Sequence, residues 1–258
     1  MRLSQGQLNV LERCPRQFQH TYLEQLGSPT NLEQQERLSS GSRFHLLMQQ
    51  RELGLPIEPL VAEDAQLQRW MNAFADAASE ILSPQRSNFR ESEHCRTLQV
   101  QEHLLTVIYD LLIASDRTCQ ILDWKTYPKP QNRNKLGQNW QTLLYLYVLA
   151  ETSEYLPEHI SMTYWFVQSE DKPQSLTFTY SNTQHQQTGQ KLNRLLTQLT
   201  NWLERYEQGE PFPQVPEGSR ECNYCQFVTR CDRDRYDKEE SINQNWLSNL
   251  ADIQELSL

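Results

Sequence analysis

Residues 104–126 read LLTVIYDLLIASDRTCQILDWKT, and the fold turns on how that stretch is divided. Two apolar runs flank the polar turn Ala114–Arg117, the pattern of two consecutive β-strands. Each run carries one acid, Asp110 and Asp123, and Lys125 stands two residues past the second. Side chains alternate along a strand, so Ile121, Asp123 and Lys125 share one face at steps of about 6.5–7 Å. On the first run Leu104, Ile108 and Asp110 are expected on one face and Val107, Tyr109 and Leu111 on the other. Asp110 is then a carboxylate in an otherwise buried strand, which is costly without a partner. Two arrangements satisfy it. The acids could be hard oxygen ligands for a magnesium-like cation, with Lys125 orienting a water or stabilising charge on a phosphate, or one of them could form a plain buried ion pair with Lys125. The other [DE]-x-Lys triplet, Glu170–Lys172, leads into Pro173 in a polar run and reads as a solvated turn.

Working outward, residues from about 93 to 101 make a third strand, so 93–101, 103–113 and 118–125 are expected as antiparallel neighbours. After Lys125 comes a loop, Tyr127–Asn139, with Pro128 and Pro130, in which Lys129, Arg133 and Lys135 occur without an acid. A helix from about Leu136 to Glu151 places Gln141 and Tyr145 four residues apart on one face, beside Trp140, Leu144 and Tyr147. A strand at 159–168, a hairpin partner at 175–180 and a long helix at 182–207 follow. Upstream, Leu8, Leu11, Phe18, Tyr22 and Leu26 recur at helical spacing, with Ser4 and Gln7 as a capping box and Pro15 forcing a second helix to start beside Cys14. A helix through about Glu52 carries Gly41, which would admit a close backbone approach, and His45 among apolar neighbours. Another helix from Glu63 to Leu82 ends at Ser83-Pro84. The order implies an α/β fold with a central mixed sheet flanked by helices.

The chain has 258 residues and a formal charge of −9. No apolar run reaches the roughly 18 residues of a membrane span, and the start lacks an apolar signal stretch, so a cytoplasmic protein with no membrane partner is expected. Net acidity argues against nucleic acid, but seven acids against three bases fall from Cys231 onward. Six cysteines in such a chain point to metal rather than disulfides. After Gly209, Cys222, Cys225 and Cys231 stand at C-x2-C-x5-C, three thiolates that could wrap one soft metal centre. Cys14, at its bend, is the best candidate for the fourth ligand. Cys95 and Cys119 fit no motif and read as core thiols. Trp246, Leu247 and Leu250 suggest a short amphipathic end.

Taken together, Cys14-Pro-Arg-x-Phe, Gly41-x-x-x-His45, Asp110, Asp123-x-Lys125, Gln141-x-x-x-Tyr145 and Cys222-x2-Cys225-x5-Cys231 resemble the PD-(D/E)XK nucleases of the RecB and AddB type, including those of CRISPR adaptation. The resemblance implies a restriction-endonuclease-like core at 91–207, an N-terminal helical part at 1–90 and a Cys-rich segment at 208–258, forming one nuclease domain. It implies that His45, Asp110, Asp123 and the Trp124 carbonyl hold Mg²⁺ or Mn²⁺. Lys125 would position the attacking water, while Gln141 and Tyr145 contact phosphate or steady Lys125. It implies a 4Fe–4S cluster on Cys14, Cys222, Cys225 and Cys231, with zinc as the alternative at the same thiols. The activity implied is that of a metal-dependent DNase on single-stranded DNA or DNA ends, exonuclease action favoured over endonuclease, in repair, recombination or CRISPR adaptation. The alternative is an inactive DNA-end-binding or assembly subunit. No Gly-x-x-x-x-Gly-Lys-Ser/Thr stretch occurs, so a helicase partner would be a separate protein. Val107-Ile-Tyr109 stands where the family often has a glycine before its acidic strand.

Overall fold

The structure, a computed structural model, describes residues 1–27, 32–62, 64–78, 81, 89–128, 132–168 and 172–233. Lys129, most of the Glu170–Lys172 triplet, Ser83-Pro84 and the Trp246–Leu250 segment lie outside the described residues.

The chain opens with a two-residue strand, β1 (Arg2–Leu3), too short to show a period in the sequence. Helix α1 (Gln5–Arg13) begins with the expected capping box, the Ser4 N–H donating to Gln7 Oε1 at 2.8 Å. Cys14 is extended (φ −157°), Pro15 occupies the first position of α2 (Pro15–Phe18), and a π-helical turn continues through Gln19–Leu23. Helix α3 (Leu32–Glu52) carries Gly41 and His45, and α4 (Glu58–Val61) leads to α5 (Ala65–Ala77), capped by the Asp64 carboxylate, which accepts from Gln66 and Leu67 N–H. The hairpin β2 (Phe89–Val100) and β3 (His103–Ala114) is followed by β4 (Cys119–Lys125). The single helix expected from Leu136 is two, α6 (Arg133–Gly137) and α7 (Trp140–Glu151). Asn139 separates them, in an extended conformation with its side chain accepting from Gln141 N–H, so a new N-cap interrupts the pattern. Strands β5 (Ile160–Phe166) and β6 (Gln174–Thr179) precede the long α8 (Asn182–Glu207), placed as the sequence indicated.

The sheet is mixed. Its order is β1-β3-β4-β5-β6, with β2 on the free side of β3. β1 pairs parallel with the start of β3, β4 pairs antiparallel with its end, and β4 and β5 run parallel. On one face α1, α2, α7 and α8 bury Leu8, Leu11, Phe18, Trp140, Leu144, Leu192 and Leu196 against Val107, Tyr109 and Ile121. On the other, α3 and α5 bury Phe44, Leu47, Met71 and Phe74 against Leu122, Trp124 and Trp165. Phe74 is fully buried, with its ring edge-on to Trp124 at 5.1 Å and Trp165 at 5.3 Å. Phe74→Ala is therefore expected to cost about 3–5 kcal/mol in denaturant unfolding, and a loss below about 1 kcal/mol would mean that α5 is not a packed layer.

Three further expectations require correction. Val107 and Tyr109 belong to one core and Leu111 to the other, so Tyr109 and Leu111 do not share a face. The alternation slips by one residue at Asp110, where the opposite residue, Glu93, has φ +51° and the β2–β3 ladder skips that pair. Because both strands carry the irregularity, the register is the same on either side of it. Cys95 is exposed on β2, an outer strand of the sheet, rather than in the core, whereas Cys119 is buried as expected. Gly41 admits a side chain, not a backbone: a Cβ there would lie 3.0 Å from Thr126 Oγ1.

Candidate active site

The site forms where β3 and β4 part. Their ladder runs from Ala114↔Cys119 to Leu111↔Leu122 and stops. Instead of the next backbone pair, the Trp124 N–H donates to Asp110 Oδ2 at 2.6 Å. The carboxylate thus fills the gap between the strands. In an extended strand a residue's N–H and C=O point to the same edge, so the Trp124 carbonyl opens into that gap as well. The Trp124 indole is buried on the α3/α5 side.

Two groups of side chains flank this gap, one from each face, and among the described residues Asp123 is not within the donor distances of the first group. From the α3 face His45 brings Nδ1 to 3.3 Å from Asp110 Oδ1. Glu93 joins them, and one ligand atom from each of His45, Glu93 and Asp110 lies within 4.8 Å of the others. An imidazole nitrogen with two carboxylates in partly buried surroundings is a donor set suited to Mg²⁺ or Mn²⁺, and a cation there offsets the repulsion between the acids. Glu93 was missed in the sequence because β2 alternates charged and polar residues along its length and gives no mark to this one. The signal is its backbone: a non-glycine residue at φ +51° inside a strand is strained by about 1–3 kcal/mol, a cost that concentrates at functional sites.

From the α7 face comes the second group. Asp123 and Lys125, 1% and 3% exposed, are paired at 2.8 Å between Oδ1 and Nζ. Gln141, in the first turn of α7, donates Nε2–H to Asp123 Oδ2 at 2.6 Å. Of the roles open to Gln141, this geometry uses its amide on Asp123. Lys125 also stands 5.8 Å from the centre of the Tyr164 ring. Tyr145, one turn along α7, is buried with its ring edge against Tyr109 at 5.2 Å. Burial, and then the negative charges of Asp123 and Asp110, push its phenol well above the ordinary tyrosine range, so it remains an O–H. The helix thus presents Gln141 and Tyr145 side by side to the acids.

At the other end of the fold Cys14, Cys222, Cys225 and Cys231 line one cavity, together with Gln17, Val215, Phe227 and Arg233. Burial raises the thiols of Cys222, Cys225 and Cys231, and Cys14 adds to the rise in each. Four thiols lining one cavity, three of them with ionisation held back by burial and by neighbouring sulfur, suit a cationic centre that would favour their thiolates. Among the described residues no helix is long and apolar enough to cross a membrane.

The layered mixed sheet, with acids at a strand fork and Asp-x-Lys beside them, defines a restriction-endonuclease-like α/β protein. The sequence model of the PD-(D/E)XK nuclease superfamily matches residues 2–232, and the chain belongs to that superfamily. Its fold is similar to the crystal structure of a candidate exonuclease from Eubacterium rectale, at 12% identity and TM-score 0.55 over 92% of this chain and 89% of that one. A lower similarity, 15% identity and TM-score 0.38 over 89% and 85% of the two chains, links it to the protein SSO0001. No curated protein matches it.

If the three-residue group holds the cation, Glu93→Gln, which keeps size and removes charge, raises the Mn²⁺ concentration needed for half-maximal binding by about tenfold or more. Titration calorimetry on parent and variant reads this directly, and equal affinities would remove Glu93 from the ligand set.

Proposed function

We propose that the chain is a metal-dependent deoxyribonuclease of the RecB/AddB type. It hydrolyses phosphodiester bonds in single-stranded DNA or at DNA ends, exonucleolytically, in repair, recombination or CRISPR adaptation. The observation that carries this reading is the placement of the His45, Glu93 and Asp110 group and of the Asp123–Lys125 pair around the two strands that part at one fork. The E. rectale relative is described as an exonuclease candidate, which favours the end-directed mode.

His45, Glu93 and Asp110 hold Mg²⁺ or Mn²⁺, with Asp123 and the Trp124 carbonyl beside them. A cation held by these residues would supply a water of lowered pKa and charge to polarise the scissile phosphate. Lys125 then orients the attacking water and balances charge growing on the phosphoryl oxygens. Gln141 fixes the Asp123 carboxylate and, through it, the lysine. Tyr145 keeps its proton and limits water around the acids. The chain works as one nuclease domain in the cytoplasm, with any helicase or CRISPR-adaptation protein as a separate partner. Its cysteines hold a 4Fe–4S cluster, whose role is structural.

The test is digestion of end-labelled single- and double-stranded DNA by anaerobically purified protein with Mn²⁺ or Mg²⁺. Cleavage from ends supports the proposal. Binding without cleavage under both metals would replace it with an inactive DNA-end-binding or assembly subunit. Metal analysis of the same sample separates a cluster, brown with about four irons per chain, from a single zinc.

A further inference from the structure

The four-cysteine cavity has a neighbour that no motif includes. His20 lies in the π-helical turn Gln19–Leu23, is 4% exposed, and brings Nε2 to 3.9 Å from Cys231 Sγ. Its other nitrogen, Nδ1, is 2.8 Å from Glu24 Oε2. Glu24 is fixed in turn by the Gln19 amide, which donates to Oε1 at 2.5 Å, and by Arg230 at 3.7 Å. The His20 ring packs on Phe227 at 5.0 Å between centroids, and Phe227 lines the cavity. His20 itself does not line it. Cys231 thus borders both the cavity and the imidazole.

A carboxylate behind an imidazole, with the far nitrogen aimed at a metal-site atom, is the arrangement by which proteins orient and tune groups around metals. Here the aimed-at atom is a ligand, not the metal. Once Cys231 is a metal-bound thiolate its sulfur can only accept, so in a hydrogen bond between the two the imidazole Nε2 is the donor. The π turn serves this geometry. Glu24 N–H donates to Gln19 O at 3.0 Å and Leu26 N–H to His20 O at 2.8 Å, a widened turn that leaves Gln19 and His20 buried side by side and both facing Glu24.

Resting on the reading of the four cysteines as a metal site, we propose that His20, held by Glu24, donates an Nε2–H hydrogen bond to the Cys231 sulfur. It is a positioning residue of that centre, set outside the ligand shell. It places a donor beside a cluster of thiolates whose negative charge has few compensating groups in the cavity, Arg233 among them.

The experiment compares parent, His20→Phe, His20→Gln and Glu24→Gln chains, purified anaerobically. His20→Phe keeps an aromatic ring on Phe227 and removes both nitrogens, whereas His20→Gln keeps a side-chain N–H donor. Release of the cysteine-bound metal to a chelator is followed by absorbance, alongside metal content and far-ultraviolet circular dichroism. The expected result is release about tenfold faster in His20→Phe, a smaller acceleration in Glu24→Gln, and near-parent behaviour in His20→Gln. If the centre is an iron–sulfur cluster, its midpoint potential falls in His20→Phe alone, because hydrogen bonds to sulfur raise it. Parent-like release and spectrum in His20→Phe would overturn the role of His20 while leaving the cysteine site intact. A parent chain that carries no metal, and that four-cysteine variants match, would overturn both. Should His20→Phe fold poorly by circular dichroism, Glu24→Gln decides alone, since Glu24 is partly exposed and its loss leaves Phe227 packed.

Discussion

Replacing Lys125 by Ala is expected to lower the proposed metal-dependent DNA hydrolysis by about three orders of magnitude, and Asp123→Ala by at least as much, because in that reading each removes a fixed charge beside the reacting phosphate. A second consequence complicates the measurement. Both groups are almost wholly buried, paired at 2.8 Å, and Asp123 is also held by Gln141. Removing one partner strands the other, at a cost of about 3–5 kcal/mol. Loss of activity in a single variant could therefore reflect unfolding. The double replacement Asp123→Asn/Lys125→Met separates the two effects. It removes both charges, keeps an oxygen for the Gln141 amide and fills the lysine's space with an apolar chain. The double variant is expected to be more stable than Asp123→Ala or Lys125→Ala in urea, yet equally inactive. Stability and activity that rise and fall together across the three variants would show a structural ion pair with no part in chemistry. Parent-level cleavage by either single variant would point to a contaminating nuclease.

Much of that pair was legible in the sequence, for a definite reason. Asp123 and Lys125 sit in a regular strand, where period two alone fixes their shared face, and the structure places both toward α7. Asp110 was legible as an acid in a buried strand, but its direction was not. The slip of alternation at Asp110 is matched by Glu93 across the ladder, so strand lengths and register look regular and the sequence shows nothing. That matched irregularity frees the carboxylate to turn into the gap and accept from Trp124, and it brings Glu93 within ligand distance of His45. The same limit applies at Asn139. A polar residue between two helical patterns reads as continuous helix until its capping bond is seen, yet this cap sets the first turn that delivers Gln141 to Asp123. His45 and the four cysteines lay far apart in sequence, and only motif order tied them together; periodicity had no means of doing so.

The cysteine site yields the other large effect. Cys14 and Cys222 are about two hundred residues apart, and tying such a loop would contribute about 5 kcal/mol through the unfolded chain alone. The expected loss on removing the metal proposed for these cysteines, or in Cys225→Ser, is smaller, because Phe212 is already fastened to the N-terminal helices without any cysteine. Arg16 Nε donates to Phe212 O at 2.7 Å, the Phe212 N–H donates to Gln19 Oε1 at 2.6 Å, and Phe18 stacks on its ring. With those contacts retained, the cysteines close only the roughly twenty residues from Phe212 to Cys231, worth about 3 kcal/mol. For a chain of this size that corresponds to a fall in Tm of about 6–12 °C. The released part should be local: trypsin would cut at exposed Arg220 or Arg230 while the fragment N-terminal to the cut survives. A fall much beyond that range, with digestion throughout, would mean that the metal holds the N-terminal helices to the sheet as well. An unchanged Tm with Arg220 and Arg230 still protected would mean that the thiols bind nothing that the fold depends on.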